Sequence, residues 1–268
     1  MISNILSIAG SDPSGGAGIQ ADLKTFSALG CYGMAVMTAL TAQNTKGVTG
    51  VQQVPHDFVG KQIDTIFEDV RVDAMKIGMA GTPQTIDTIA EAIQRHKPGY
   101  VVLDPVMVAT SGDKLLDDTA IQNLRTKLLP LAGVLTPNVP EAEILLAKSF
   151  DRDFQADMQD MAKALLDLGC QAVMLKGGHL GGATSNDVFM DQKGVIEILE
   201  APRVKTIHNH GTGCTLSSAL ACYLAKGLPP VEAAHAAKTF VTYALQNSER
   251  LSVGRGHGPV HHFHALWA

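Results

Sequence analysis

Apolar residues fall along this chain in two alternating patterns. Short, nearly continuous apolar runs bounded by glycine, proline or small polar residues read as buried strands. They occupy residues 4–9, 34–42, 74–77, 100–104, 133–138 and 172–176. Between them lie longer stretches with apolar positions three and four apart, the spacing of an amphipathic helix. These cover residues 19–28, 58–69, 83–95, 117–128, a segment opening at Pro140, and 154–168. In the second, Phe58, Ile63, Ile66, Phe67 and Val70 form one stripe. In the third, Thr82 stands as the N-cap and Pro83 in the first turn. Beyond residue 176 the rhythm changes. Residues 187–190, 195–199 and 204–207 are short or alternating, the pattern of antiparallel strands at a sheet edge. Two helices close the chain. The first starts near Cys214, carries Leu216, Ala219, Leu220, Tyr223 and Leu224, and is stopped by Gly227 and the prolines 229 and 230. The second covers residues 231–246.

Strand alternating with helix predicts an α/β fold: a central, mostly parallel, doubly wound sheet with helices on both faces and a small antiparallel edge. No linker or repeat interrupts it, so residues 1–268 read as one domain. In such folds ligands bind at the carboxyl ends of the strands.

Composition narrows the classes. With 46% hydrophobic and 18% charged residues the chain is globular, not disordered. A net charge of -5 argues against nucleic acid or an anionic membrane as the main partner. The four cysteines form no CxxC pair, which fits reduced thiols in the cytoplasm. The start, MISNILSIAG, lacks a basic leader, and no apolar run approaches the ~18 residues of a membrane span.

The candidate chemistry clusters at strand ends and one helix start. In HGTGCTLSSALA, residues 210–221, Gly211 and Gly213 permit a sharp turn with exposed amides just before a helix. A helix start carries free N–H groups and partial positive charge, so it suits an anion and lowers a thiol's pKa, here that of Cys214. A glycine cap followed by a buried small cysteine explains the same residues equally well. The turn at residues 10–18 contains Gly16-x-Gly18-x-x-Ala21, a loose dinucleotide fingerprint. That fingerprint needs an acid about 20 residues on, and none stands between Asp22 and Asp57. Gln43, after a strand, is either an exposed turn residue or an amide reading a heterocycle. Asp104 ends an apolar strand, a costly place for an unpartnered charge, and reads as a ligand or metal contact or as a structural turn residue. Asn138 and Glu141 either cap each other or hold a metal. Lys176, before two glycines, is either a phosphate contact or a surface lysine. The histidine-rich ending reads as a docked tail, since its spacing fits no zinc pattern. Glycine loops, a lysine and carboxylates on one rim suit phosphoryl transfer from a Mg-nucleotide. The GxxxxGK[ST] loop is absent, so any kinase here uses another phosphate loop.

The segments AGSDPSGGAGIQADLKTFSALGCYG, TALTAQNT, KIGM, VLDPVM, LTPNVPEAE, MLKGGH and HGTGCTLSSALA occur in this order. Together they resemble the hydroxymethylpyrimidine/phosphomethylpyrimidine kinases of thiamine biosynthesis, in the ribokinase-like superfamily. The resemblance runs from about residue 4 to the VHHFHA ending. It implies an ATP- and Mg2+-dependent homodimer with the ribokinase-like fold. Such an enzyme phosphorylates 4-amino-5-hydroxymethyl-2-methylpyrimidine to the monophosphate and then to the diphosphate. By the same resemblance Gln43 would bind the pyrimidine, with Gly10, Ala17, Asp22 and Val106 shaping its pocket. Gly211, Thr212 and Gly213 would form the anion hole. Cys214 would be the base where most of the superfamily has an aspartate. Asp104 and Glu141 would serve Mg2+, and Lys176 and Thr206 the nucleotide. Asn209 stands where the family pattern has threonine. A Cys214 thiolate is expected to take the substrate's proton in the first transfer only, because the second nucleophile is already ionised. Three alternatives stay open: a pyridoxal or pyridoxine kinase, a cysteine-nucleophile enzyme pairing Cys214 with His210, and a non-catalytic nucleotide sensor.

Overall fold

The computed structural model describes residues 1–107, 116–149 and 155–267. Its centre is an eight-stranded sheet in the order β10-β9-β8-β7-β6-β5-β1-β2. Strands β1 (Asn4–Ala9), β2 (Tyr32–Met37), β5 (Ala74–Ile77), β6 (Val101–Leu103), β7 (Val134–Leu135) and β8 (Ala172–Leu175) run parallel. Strands β9 (Asp187–Asp191) and β10 (Ile196–Leu199) add an antiparallel edge.

The two-residue period of the strands feeds two cores. Leu6 and Ile8, Met75 and Ile77, Leu103 and Leu175 pack on one face. They meet α2 (His56–Asp69), α3 (Pro83–His96), α5 (Val139–Leu146) and α6 (Gln155–Leu166) through Ile63, Ile89, Leu145 and Leu165. Ile5, Ala74, Val102 and Met174 pack on the other. There they meet α1 (Gly18–Ala28), α7 (Thr212–Ala225) and α8 (Pro230–Gln246) through Phe26, Leu220 and Phe240.

The structure corrects three expectations. Residues 34–42 are not one strand. β2 stops at Met37, because the Thr38 hydroxyl donates to the Met79 carbonyl at 2.6 Å. The chain then leaves the main sheet as β3 (Ala39–Asn44), paired antiparallel with the unforeseen β4 (Gly47–Gln53). Residues 204–207 form no strand; the nearest pairing is the isolated bridge from Thr184 to Pro202. Proline has no N–H with which to extend a ladder. The helix over 117–128 is α4 (Asp118–Asn123), capped by Asp117, then a wider turn through Leu128. The expected loop at 109–113 and charged lead-in at 151–153 lie outside the described residues. Among the described residues no helix is long and apolar enough to cross a membrane.

The C-terminal tail is docked, as its composition suggested. Val260 donates to the His210 carbonyl, His261 donates to the Ala244 carbonyl, and His262 Nε2 lies 3.1 Å from Thr215 Oγ1.

Candidate active site

The parallel strands end on one rim, and each end hands the chain to a glycine turn or a helix start. After β1, Gly18 takes a left-handed φ of +54° and the Ile19 amide donates to the Gly10 carbonyl at 3.0 Å. A Cβ at Gly18 would stand 2.3 Å from that carbonyl oxygen, so only glycine lets α1 start this close to β1. Asp12 organises the turn. Its Oδ1 accepts from the Ser14 amide and hydroxyl, and its Oδ2 from the Gly16 and Ala17 amides. The same Oδ2 lies 2.7 Å from His210 Nε2. Asp12 was not singled out from sequence; the Asp-Pro-Ser step, a turn-forming signature, was the available signal.

His210 leads into the second glycine loop. Gly211 is left-handed at φ +79°, and a Cβ there would lie 1.8 Å from the Gly16 carbonyl oxygen. The two glycine loops therefore touch backbone to backbone. Gly211 caps α7, so the amides of Gly213 and Cys214 stand in its first turn with no partner inside the helix. Thr212 is held by its own turn, donating from Oγ1 to the Asn209 carbonyl at 2.6 Å. A Cβ on Gly213 would stand 3.3 Å from Lys176 Nζ and 3.6 Å from Asp104 Oδ2. The helix start thus faces a lysine and a carboxylate with no side chain between.

Lys176, at the end of β8, donates to Asp104 Oδ1 at 2.8 Å. Thr136 and Ser217 hydroxyls, each 3.3 Å away, also point at Asp104. Burial works against the Asp104 charge, but the lysines 176 and 76 outweigh it and hold the carboxyl below its ordinary range. Burial likewise opposes the Lys176 charge, and Asp104 and Glu141 hold its pKa above the ordinary value. Both readings of Asn138 and Glu141 meet here. The capping box is complete: Glu141 Oε2 accepts from the Asn138 amide, and Asn138 Oδ1 from the Glu141 amide. The same Glu141 feels Lys176 and Asp104; burial first, then Asp104, pushes it up to about 7 against the pull of Lys176. Two buried carboxylates are hard oxygen donors of the kind a water-rich Mg2+ uses. Among the described residues no closed cluster of three or more metal-binding side chains forms. The donors therefore fit an ion completed by water and phosphate oxygens.

Cys214 does not meet expectation. Burial, together with the Asp22 and Asp104 charges, pushes its thiol up to about 11, against Lys76 and the Gly18 amide. The helix start was expected to lower it; the low-dielectric, carboxylate-lined wall wins. At neutral pH the group is a thiol. His210 Nε2 lies 2.7 Å from Asp12 Oδ2, and among the described residues no hydrogen bond links His210 to Cys214, so the cysteine–histidine pairing gains no support.

Asp22, expected to shape the pocket, has a fully buried side chain whose charge acts on the Cys214 thiol. Both oxygens lie 2.9 Å from Lys76 Nζ, and the Ser7 and Ser218 hydroxyls donate to it. Lys76 is fully buried as well. Burial alone would neutralise it, and Asp22 holds its pKa raised instead. Ser7 and Lys76 are register partners on β1 and β5, which turns both toward α1 and α7. Sequence reasoning passed over Lys76, although a lysine inside the otherwise apolar run AMKI was a signal.

The remaining candidates are placed as follows. Gln43 accepts from Thr41 Oγ1 at 3.1 Å and lines a shallow pocket with His210 and His257, so β3 does reach the glycine loops. Gly10 and Ala17 lie in the Asp12 turn. Val106, half-buried, closes the tight turn after β6 by donating to the Asp104 carbonyl. Thr206 is engaged locally, 3.2 Å from Ser248 Oγ and accepting from the His208 amide.

A parallel sheet whose strand ends carry a glycine anion loop, a buried lysine–carboxylate pair and a hairpin standing off the sheet defines a ribokinase-like small-molecule kinase. The comparisons agree. The family model described as phosphomethylpyrimidine kinase matches residues 12–261, and the chain belongs to that family. It is 52% identical over 264 residues to the hydroxymethylpyrimidine/phosphomethylpyrimidine kinase of Salmonella typhimurium, covering 98% of each. It superposes on a pyridoxal kinase of Bacillus subtilis in complex with ADP at a TM-score of 0.89, 39% identity and 98% coverage of each chain. A pyridoxal kinase of Staphylococcus aureus bound to AMP-PCP and pyridoxal gives 0.90 at 35% identity, covering 99% of this chain and 95% of that one.

Proposed function

We propose that this chain is a cytoplasmic, homodimeric kinase of one domain. It transfers the γ-phosphoryl group of ATP to 4-amino-5-hydroxymethyl-2-methylpyrimidine and then a second one to the monophosphate. The observation that carries the reading is the start of α7, whose Gly213 and Cys214 amides have no partner inside the helix, lying directly beside the Lys176–Asp104 pair. Amide donors and a lysine side by side suit the oxygens of a phosphoryl group in transit.

The roles we assign are those the family resemblance implies for these positions. Gln43, with a donor and an acceptor on one amide, reads the pyrimidine edge, and Gly10, Ala17 and Val106 shape the pocket. The amides at the start of α7 take up charge developing on the moving phosphoryl oxygens. Lys176, with Thr206, serves the nucleotide phosphates. Asp104 and Glu141 would hold Mg2+, which supplies charge neutralisation along the phosphate chain.

In the first transfer the hydroxymethyl oxygen bonds to the γ-phosphorus, the bond to the β-phosphate oxygen breaks, and the hydroxyl proton goes to Cys214. Only the thiolate accepts it, so this step draws on a minor form at neutral pH. In the second transfer a phosphate oxygen attacks and no base is required. The loose transition state of phosphoryl transfer asks little of a base in either step.

The test is a paired turnover assay with ATP and Mg2+, the hydroxymethylpyrimidine in one vessel and pyridoxal in the other. Turnover of the pyrimidine supports the reading. Turnover of pyridoxal alone moves the chain to that activity.

A further inference from the structure

Asp12 and His210 stand 198 residues apart in sequence, yet meet at 2.7 Å with side chains only 2% and 8% exposed. Each anchors one glycine loop. Asp12 spends its remaining acceptor capacity on its own turn, at Ser14, Gly16 and Ala17. His210 is pinned on its backbone by the tail, donating to the Gly258 carbonyl and accepting from the Val260 amide. Its ring lies against Gly16, where a Cβ would stand 2.3 Å from Cδ2. The next residue, Gly211, presses on the Gly16 carbonyl. No slack exists on either side of the contact.

We infer that the Asp12–His210 pair is a positioning device that fixes the pyrimidine-side glycine turn against the anion loop, so that neither loop keeps its geometry without the other. The pair acts through the amides of Gly16, Ala17, Gly213 and Cys214, which it holds in register. The lysine 176 side of the site is built by other strands, so the nucleotide grip does not depend on it. The inference rests on the two-transfer reading for its kinetic consequence, but its structural consequence does not.

The experiment is a double-mutant cycle with Asp12→Asn and His210→Ala, and His210→Gln as the rescue variant, because a glutamine amide can donate to Asp12. Amide hydrogen exchange is read first. Substitution on either side is expected to raise exchange by about tenfold at the bonded amides of both loops, Gly15, Gly16, Ala17 and Ile19 in one and His210, Thr212 and Thr215 in the other. Faster exchange confined to the substituted loop overturns the inference, whatever the chain's activity. Kinetics are read second. Each single substitution is expected to lower kcat for both transfers by about ten- to a hundredfold, with KM for ATP within about threefold. The double variant should be no worse than the poorer single one. Losses that multiply, or a loss confined to KM for ATP, overturn the inference. If wild type makes neither product, the functional reading fails and the exchange result alone decides this one. If His210→Ala does not fold, Asp12→Asn and His210→Gln carry the test. Glutamine should then keep the anion loop protected, while asparagine loosens it.

Discussion

Lys176 Nζ and Asp104 Oδ1 are 2.8 Å apart, and both border the position a Gly213 side chain would fill. Asp104 is buried and Lys176 largely so, and the pair shares its field with Glu141 and Lys76. Removing one member of a buried pair leaves an uncompensated charge, at a cost of about 3–5 kcal/mol. Lys176→Met should therefore lower the melting temperature and cut kcat/KM by about a thousandfold, the larger share in kcat. Thermal unfolding and steady-state kinetics on the same preparation check this. Unchanged kcat would remove Lys176 from the transfer step.

Cys214 makes the two transfers separable by pH. Its pKa is raised from 9.0 to about 11, so the thiolate fraction climbs about tenfold per unit between pH 7 and 10. If the thiolate receives the proton, the first transfer accelerates over that range and the second does not. Cys214→Ala should slow the first transfer more than the second. Parallel pH profiles, or equal losses, would assign the sulfur a packing role.

Gly211 and Gly227 are both left-handed, at φ +79° and +89°. They differ in surroundings: a Cβ on Gly211 meets the Gly16 carbonyl oxygen at 1.8 Å, and one on Gly227 meets nothing within 4 Å. Gly227→Ala should cost about 1 kcal/mol of strain and leave activity intact. Gly211→Ala should part the glycine loops and lower kcat at least about a hundredfold. Equal effects in the two variants would contradict the loop-contact account.

Acid should remove two separate stabilising contributions, one from His262 and one from Asp12. Burial, with little help from its neighbours, pushes His262 down from 6.5 to about 3. The unfolded chain therefore binds this proton first, and the His262 contribution, present above pH 6.5, falls away toward pH 3; Glu141, pushed up to about 7, works in the opposite direction between pH 4.5 and 7. Burial alone would raise Asp12, but His210 and the turn hydrogen bonds bring it from 3.8 down to about 2. Its contribution, about 2 kcal/mol, is present above pH 4 and lost toward pH 2. Urea unfolding from pH 7 to 2 checks the slope. His262→Gln should remove the His262 contribution alone.

Most of the architecture was legible because it is encoded locally. The apolar runs at β1, β5 and β8 and the amphipathic stripes of α2 and α3 each carry their own period. The Asn138–Glu141 box was readable for the same reason, since both halves lie within one turn. What was not legible depends on distant partners. The break at Thr38 needs the Met79 carbonyl, 41 residues on. β4 is largely exposed and has no apolar face to announce it. The buried pair of Asp22 and Lys76 joins residues 54 apart in sequence. The local rule for a thiol at a helix start gave the wrong sign for Cys214. Burial overrules it, helped by the carboxylates of Asp22 in α1 and Asp104 just past β6, both far away in sequence.

The most direct measurement follows products by mass when the purified chain is given ATP, Mg2+ and 4-amino-5-hydroxymethyl-2-methylpyrimidine. The account predicts that the monophosphate appears first and is then consumed as the diphosphate accumulates, with one ATP spent per step. A monophosphate that never advances, or no phosphorylated pyrimidine at all, would contradict it.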